Sequence, residues 1–192
     1  MGKVVVSQFI SIDGVVEDPG GSEGWERGGW AFQFDRGEVG DKFKLDEVMA
    51  GEVLLLGRTT YEGFAAAWPE REGDFADKFN SMPKYVVSTT LQDPEWNNST
   101  VVRDDIAGAV AELKKEFSGD ILVNGSIRLV QTLLDERLVD ELRLMLYPVV
   151  LGGGKRLFPE KSAMTSFRLT QSTPAGETII LVYEADRSED QA

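Results

Sequence analysis

The residues best suited to chemistry lie at two similar junctions. Val53-Leu54-Leu55-Leu56 is wholly apolar and stops at Gly57-Arg58-Thr59-Thr60-Tyr61-Glu62. Asp120-Ile121-Leu122-Val123 stops in the same manner at Asn124-Gly125-Ser126-Ile127. Each pattern predicts a buried strand that delivers its end to a helix N-terminus. Free N–H groups at such an end attract phosphate, and glycine lets the backbone approach a ligand without a Cβ in the way. Gly57 and Gly125 supply that approach and Arg58 a fixed positive charge, while Thr59, Asn124, Ser126 and Ile127 complete the two turns. Two N-termini facing one crevice would cradle a pyrophosphate. Thr59 and Glu62 have capping-box spacing, and Ser126 is placed to cap its own helix.

Two further strand ends add polar groups. Lys84 to Thr89 is an apolar run ending in hydroxyls, so Ser88 and Thr89 can accept an adenine-ribose edge. Lys3 to Ile10 is rich in valine and runs into Ser11-Ile12-Asp13-Gly14, where Asp-Gly marks a turn. Asp13 is either a substrate contact, able to relay a proton if its pKa is raised, or an ordinary turn residue. Thr60 is the threonine expected to face the pocket. Glu47 either faces the crevice or is a solvated helix acid. Trp25, Trp30 and Trp68 can stack on a heterocycle, although Trp68 beside Pro69 equally suits core packing. Arg58 could also pair with a further phosphate, such as the 2′-phosphate of NADP.

Composition narrows the chemistry. The chain has 192 residues, a formal net charge of −13, no cysteine and no histidine. Disulfides, thiol chemistry and every mechanism that needs an imidazole are excluded, and no metal site is expected. The acidic excess makes nucleic acid and anionic membrane poor partners. The first residues run straight into a strand pattern without a signal peptide, and no apolar run approaches membrane-spanning length. A cytoplasmic protein is expected, which makes the sequon at Asn98-Ser99-Thr100 a chance match.

The elements that must position these groups follow from periodicity. Helices are expected over 41–50, from Thr59 to Ala67, over 74–80, from an Asp105 cap to Phe117, and over 127–138. The Gly-rich loop from Pro19 to Trp30 is too long for a simple connector, and its tryptophans argue against disorder. The strand from Asp140 reaches Gly152-Gly153-Gly154, which opens no helix, so neither a Rossmann fingerprint nor a Walker A loop is present. Its Leu144–Leu151 part is expected to form an exposed sheet region suited to a dimer interface. Residues 166–172 and 177–185 read as a closing antiparallel pair around Pro174-Ala175-Gly176. The whole is a single α/β domain over 1–185, mostly parallel with antiparallel edge strands, followed by a polar tail at 186–192.

Five segments together resemble the reductase domain of bacterial riboflavin biosynthesis, a branch of the dihydrofolate-reductase-like superfamily. They are Ser11-Ile12-Asp13-Gly14, Leu56 to Glu62, Val123-Asn124-Gly125-Ser126, Leu138 to Leu142, and Pro148 to Phe158. The resemblance spans nearly the whole chain. It implies a central eight-stranded sheet, a homodimer, NADPH as cofactor and hydride transfer to a small pyrimidine- or pteridine-like heterocycle. 5-Amino-6-(5-phosphoribosylamino)uracil reductase is the implied activity, with dihydrofolate reductase or a non-catalytic NADPH-binding protein as alternatives. Asn124-Gly125 departs from the two glycines common in the family, and the long 17–30 loop is typical of stand-alone members.

Overall fold

Three consecutive valines, Val4, Val5 and Val6, are buried on both faces of β1 (Lys3–Ser11), which places that strand at the centre of the sheet. A computed structural model describes residues 1–162 and 164–186. Beyond Asp186, the expected polar tail lies outside the described residues. The other strands are β2 (Gly51–Gly57), β3 (Lys84–Val87), β4 (Ser99–Val102), β5 (Asp120–Asn124), β6 (Glu141–Tyr147), β7 (Phe167–Ala175) and β8 (Thr178–Ala185). They form one eight-stranded sheet in the order β4-β3-β2-β5-β1-β6-β8-β7. The first six strands are mutually parallel; β8 runs antiparallel to β6 and β7 antiparallel to β8. This is the expected mostly parallel sheet with an antiparallel C-terminal pair.

Helices α1 (Gly37–Ala50), α2 (Arg58–Ala67) and α3 (Asp74–Ser81) cover one face, and α4 (Ile106–Glu116) and α5 (Ile127–Asp135) the other. Strand alternation sorts the core. Val4, Val6, Ile121 and Val123 meet Val110 and Leu113 of α4 and Leu129 and Leu133 of α5. Val5, Leu54, Leu56 and Leu122 meet Val48, Tyr61, Phe79 and Trp96. A third cluster, Trp30, Met145, Tyr147, Ile180 and Val182, lies under the C-terminal hairpin. Among the described residues no helix is long and apolar enough to cross a membrane.

Several local expectations change. α5 stops at Asp135 because Arg137 takes a positive φ of 54° and the Leu138 N–H turns back to the Leu133 carbonyl. The hairpin turns at Gly176 and Glu177, leaving Pro174 and Ala175 inside edge strand β7, where a missing N–H is tolerated. β6 runs between β1 and β8 with Leu144, Met145 and Tyr147 buried, so the first half of the 144–151 segment is interior, whereas Pro148 and Val150 beyond the strand are exposed. Trp68 packs against Phe64, Phe75 and Phe79, and Trp30 is buried against Tyr147, so both tryptophans serve packing.

The 17–30 loop is built around one buried acid. The Asp18 carboxylate accepts from the Glu23 N–H at 3.0 Å and the Trp25 N–H at 3.1 Å. Trp30 Nε1 donates to the Glu17 carbonyl at 2.9 Å, and Arg27 donates to the Leu151 carbonyl. Trp25 lies against Gly154 so closely that a Cβ there would stand 2.8 Å from its ring. Gly-rich composition here marks close approach, not looseness.

Candidate active site

The crevice forms where β2 and β5 end while β1, on the far side of β5, continues. Gly57 closes β2, and Asn124 closes β5 opposite Ser7 of β1. The two junctions are knitted together. The Ser126 N–H donates to Thr60 Oγ1 at 2.8 Å, and the Gly57 N–H donates to Ser126 Oγ at 2.9 Å. Gly125 and Ser126 both adopt left-handed backbone, with φ of 57° and 56°. A Cβ on Gly125 would stand 3.0 Å from Thr60 Oγ1, so glycine is required twice over, by conformation and by space. Gln8 fixes the same turn from below, its Nε2 donating to the Gly125 carbonyl at 2.6 Å.

Two expected caps are thereby corrected. α2 starts at Arg58, so Thr59 lies inside the first turn, and Glu62 pairs with Arg58 at 2.7 Å instead of closing a capping box. Ser126 is the N-cap residue of α5 by position, but its hydroxyl is committed to Gly57 and to the Asn124 carbonyl. Among the described residues neither helix carries a side-chain cap at its N-terminus. The donors that a cap would occupy are left for a ligand. Thr60 is buried, and its hydroxyl holds the Ser126 backbone; its place in the crevice is that of a positioning residue.

Ser88, Thr89 and Thr90 form the next wall. Ser88 Oγ accepts from the Thr90 N–H at 3.2 Å and the Leu91 N–H at 3.0 Å, which shapes the turn. Arg58 Nη1 donates to Thr90 Oγ1 at 2.7 Å. Arg103 reaches the same turn from the other side, donating to the Thr89 carbonyl at 3.4 Å and the Leu91 carbonyl at 3.0 Å. Two exposed guanidiniums therefore flank one hydroxyl-bearing turn. Arg103 was missed in the sequence because nothing local ties it to Arg58; Gln8 carried a signal, a polar side chain interrupting a valine strand.

Asp13 stands in the opposite wall. Its carboxylate accepts from the Ser11 hydroxyl at 2.7 Å, the Leu151 N–H at 3.1 Å and the Gly152 N–H at 2.8 Å. Burial pushes its carboxyl up. The Ser11 hydroxyl and the backbone N–H groups of Leu151, Gly152 and Asp13 itself outweigh that and hold it at about 2. The raised pKa that a proton relay requires is absent; Asp13 is an anionic clamp that ties the end of β1 to the glycine loop after β6. Glu17 extends the clamp through the Lys155 N–H at 2.8 Å and its ammonium at 2.5 Å. Because the folded pKa lies below the ordinary value, the clamp stabilises the native state above about pH 4 and fades as pH falls toward 2. Asp13→Asn should therefore lose stability at pH 6 and approach wild type only near pH 2, read by urea unfolding at both values.

Glu47 departs furthest from expectation. It is 3 % exposed rather than solvated, ion-paired with Lys44 and 3.7 Å from the Arg143 guanidinium. Arg143 also binds Glu141 at 2.6 Å and Asp120 at 3.0 Å.

This sheet order, with helices on both faces, two N-termini at the crevice and a closing antiparallel pair, defines a dihydrofolate-reductase-like α/β protein. The chain belongs to the RibD C-terminal domain family, whose model matches residues 2–181. Among curated proteins, the uncharacterized proteins YyaP and YwjB of Bacillus subtilis (strain 168) are similar. YyaP is 26 % identical over 187 residues, 94 % of each chain. YwjB is 28 % identical over 181 residues, 94 % of this chain and 97 % of its own. Among solved structures, a putative riboflavin biosynthesis protein from Shewanella sp. PV-4 superposes with a TM-score of 0.72 at 21 % identity, covering 97 % of this chain and 100 % of its own. RibD of Acinetobacter baumannii gives 0.67 at 15 % identity, covering 97 % and 59 %. At these identities the structural likeness establishes the fold.

Proposed function

We propose that this protein is an NADPH-dependent reductase that delivers a hydride to a small pyrimidine- or pteridine-like heterocycle. One observation carries the reading. The mutual Thr60–Ser126–Gly57 lock sets two N-termini without side-chain caps side by side, in a chain of the RibD C-terminal domain family. The donor set fits a dinucleotide. The first turns of α2 and α5 would hold the pyrophosphate, with Gly57 and Gly125 admitting it closely. Arg58, Arg103 and the Ser88–Thr90 turn would receive a ribose and its phosphate. Bound there, NADPH would supply the hydride and both its electrons, and the substrate would take up a proton to complete its reduction. The chain's own part is orientation and exclusion of water, so the lack of histidine and cysteine removes nothing essential.

Titration with NADPH and NADH tests the reading. A ligand specific for the folded state raises the melting temperature with occupancy. Arg58→Ala combined with Arg103→Ala should weaken NADPH by roughly 10- to 100-fold, the worth of one or two charge-assisted bonds, and leave NADH unchanged. No thermal shift with either nucleotide would sink the proposal. Binding without oxidation in the presence of the riboflavin-pathway aminouracil or dihydrofolate would reduce it to a nucleotide-binding protein. The reading includes a homodimer, which sedimentation equilibrium checks.

A further inference from the structure

Beyond the Ser88–Thr90 turn, on the α2 side of the sheet, lies a cleft of about 780 Å³ that the proposed reaction does not use. One wall is α2, where Glu62, Ala65 and Ala66 fall three and four residues apart and so share one stripe of the helix. The other wall is the loop from β3 to β4, through Leu91, Asp93 and Glu95. Buried Tyr61 and Trp96 form the base, with ring centres 6.1 Å apart. The two alanines leave open a space that larger helix residues would fill. The volume is that of a small-molecule site.

The base carries an unspent donor. Tyr61 is 3 % exposed, and its hydroxyl accepts from the Trp96 backbone N–H at 3.0 Å. The hydroxyl's own proton has no acceptor among the described residues. A buried donor left in that state costs stability that a ligand oxygen would restore. The rim, by contrast, is anionic. Glu62, Asp93 and Glu95 line the cleft, and no lysine or arginine does. Asp93 and Glu95 are exposed and without ion pairs among the described residues. Lys84, whose ammonium stands 4.2 Å from the Trp96 ring centre, is spent on three backbone carbonyls. Apolar walls and charge of a single sign concentrate the field in a cleft, and the chain's net charge of −13 adds to it.

We propose that this cleft binds an organic cation. Its aromatic body would lie against Ala65, Ala66 and Leu91, an oxygen would take the Tyr61 proton, and an ammonium would meet Asp93 and Glu95. The site is linked to the nucleotide through Glu62 and Arg58, and that link alone rests on the reductase reading. Arg58 pairs with Glu62 at 2.7 Å and also reaches Thr90 at 2.7 Å. A nucleotide phosphate that draws Arg58 away leaves Glu62 unpaired beside the cleft, where the ammonium compensates it. Each ligand would therefore favour the other, by the same factor. The pair is half-exposed, so that factor is modest, about two- to fivefold.

The test is calorimetric titration of the whole protein with 5-methoxytryptamine and with 5-methoxyindole-3-acetate, similar bodies of opposite charge. The amine should bind at least about tenfold more tightly. Asp93→Asn with Glu95→Gln should remove that preference, and Ala66→Phe, which fills the cleft from an exposed position, should abolish amine binding. Tyr61→Phe should weaken the amine by several-fold. If that variant fails to fold because the Trp96 N–H loses its acceptor, tryptamine, which lacks the ether oxygen, should bind wild type more weakly by a similar factor. Saturating NADP+ should tighten the amine in wild type and change nothing in Glu62→Gln. Absence of amine binding, equal binding of amine and acid, preference for the acid, or binding indifferent to Ala66→Phe would overturn the proposal. NADP+ binding without any change in amine affinity would overturn the link. Charge-selective amine binding in a protein that ignores NADP+ would uphold the cation site and overturn the nucleotide reading instead.

Discussion

Lys84→Met should unfold about 6–12 °C below wild type, the equivalent of roughly 3 kcal/mol in a chain of this size. Lys84 opens β3 and is fully buried. Its ammonium donates to the carbonyls of Asn80 at 2.6 Å, Met82 at 2.9 Å and Asn97 at 3.2 Å, and lies 4.2 Å from the ring centre of Trp96. It thereby joins the end of α3, the start of β3 and the loop before β4. Methionine fills a similar volume but leaves three carbonyls without that donor, and an unpaired buried acceptor costs about 1–3 kcal/mol. Burial pulls the Lys84 pKa down to about 8, below its ordinary value. Between pH 8 and about 10 the unfolded chain therefore binds more protons than the native one, and wild-type stability gains from Lys84 as pH rises. The gap between wild type and variant should widen from pH 7.5 to pH 10 in urea unfolding. A melting temperature lowered by less than about 2 °C would show that the three carbonyls find other donors.

Gly125→Val should abolish measurable nucleotide binding, a loss of at least about a hundredfold, while leaving a folded protein. Valine at a φ of 57° is strained in itself, by about 1–3 kcal/mol. Its Cβ would also press on Thr60, 3.0 Å from the hydroxyl and 3.1 Å from the methyl. Thr60 must then move, releasing the Ser126 N–H and separating the two helix N-termini. The readout is the NADPH-dependent rise in melting temperature, set against circular dichroism to confirm the fold. A normal rise in the variant would show that the cradle is not where the nucleotide binds.

How much of this was legible depends on how far apart the partners lie. β5 was readable to the residue, because Asp120–Asn124 is an apolar run between a turn and a glycine. The Asp105 cap was equally local: its carboxylate accepts from the Gly108 N–H at 2.9 Å. The paired junctions were visible as motifs, and the sheet does bring Gly57, Thr60, Gly125 and Ser126 together. Their mutual hydrogen bonds were not visible, since each spans two segments that only the sheet makes neighbours. Thr59 misled because capping-box spacing says nothing of Arg58, which claims Glu62. Glu47 misled because the Arg143 guanidinium beside it comes from β6, far along the chain; hydropathy along α1 alone makes it a surface acid. Asp13 was well placed, but its protonation state depends on N–H groups of the loop after β6.

The position of β1 also bears on how the chain reaches this fold. Lys3 pairs with Asp120 and Ser11 with Tyr147, so both neighbours of the first strand are made late, after β2, β3 and β4. During synthesis, Val4 to Ile10 leaves the ribosome as an aggregation-prone segment with no mate, while β2 and β3 can already pair. Closing the sheet means drawing β1 back between β5 and β6, a step of high contact order that slows folding. The acidic residues spread along the chain keep nascent molecules apart during that interval. The surplus of negative charge thus serves the unfinished protein as much as the finished one.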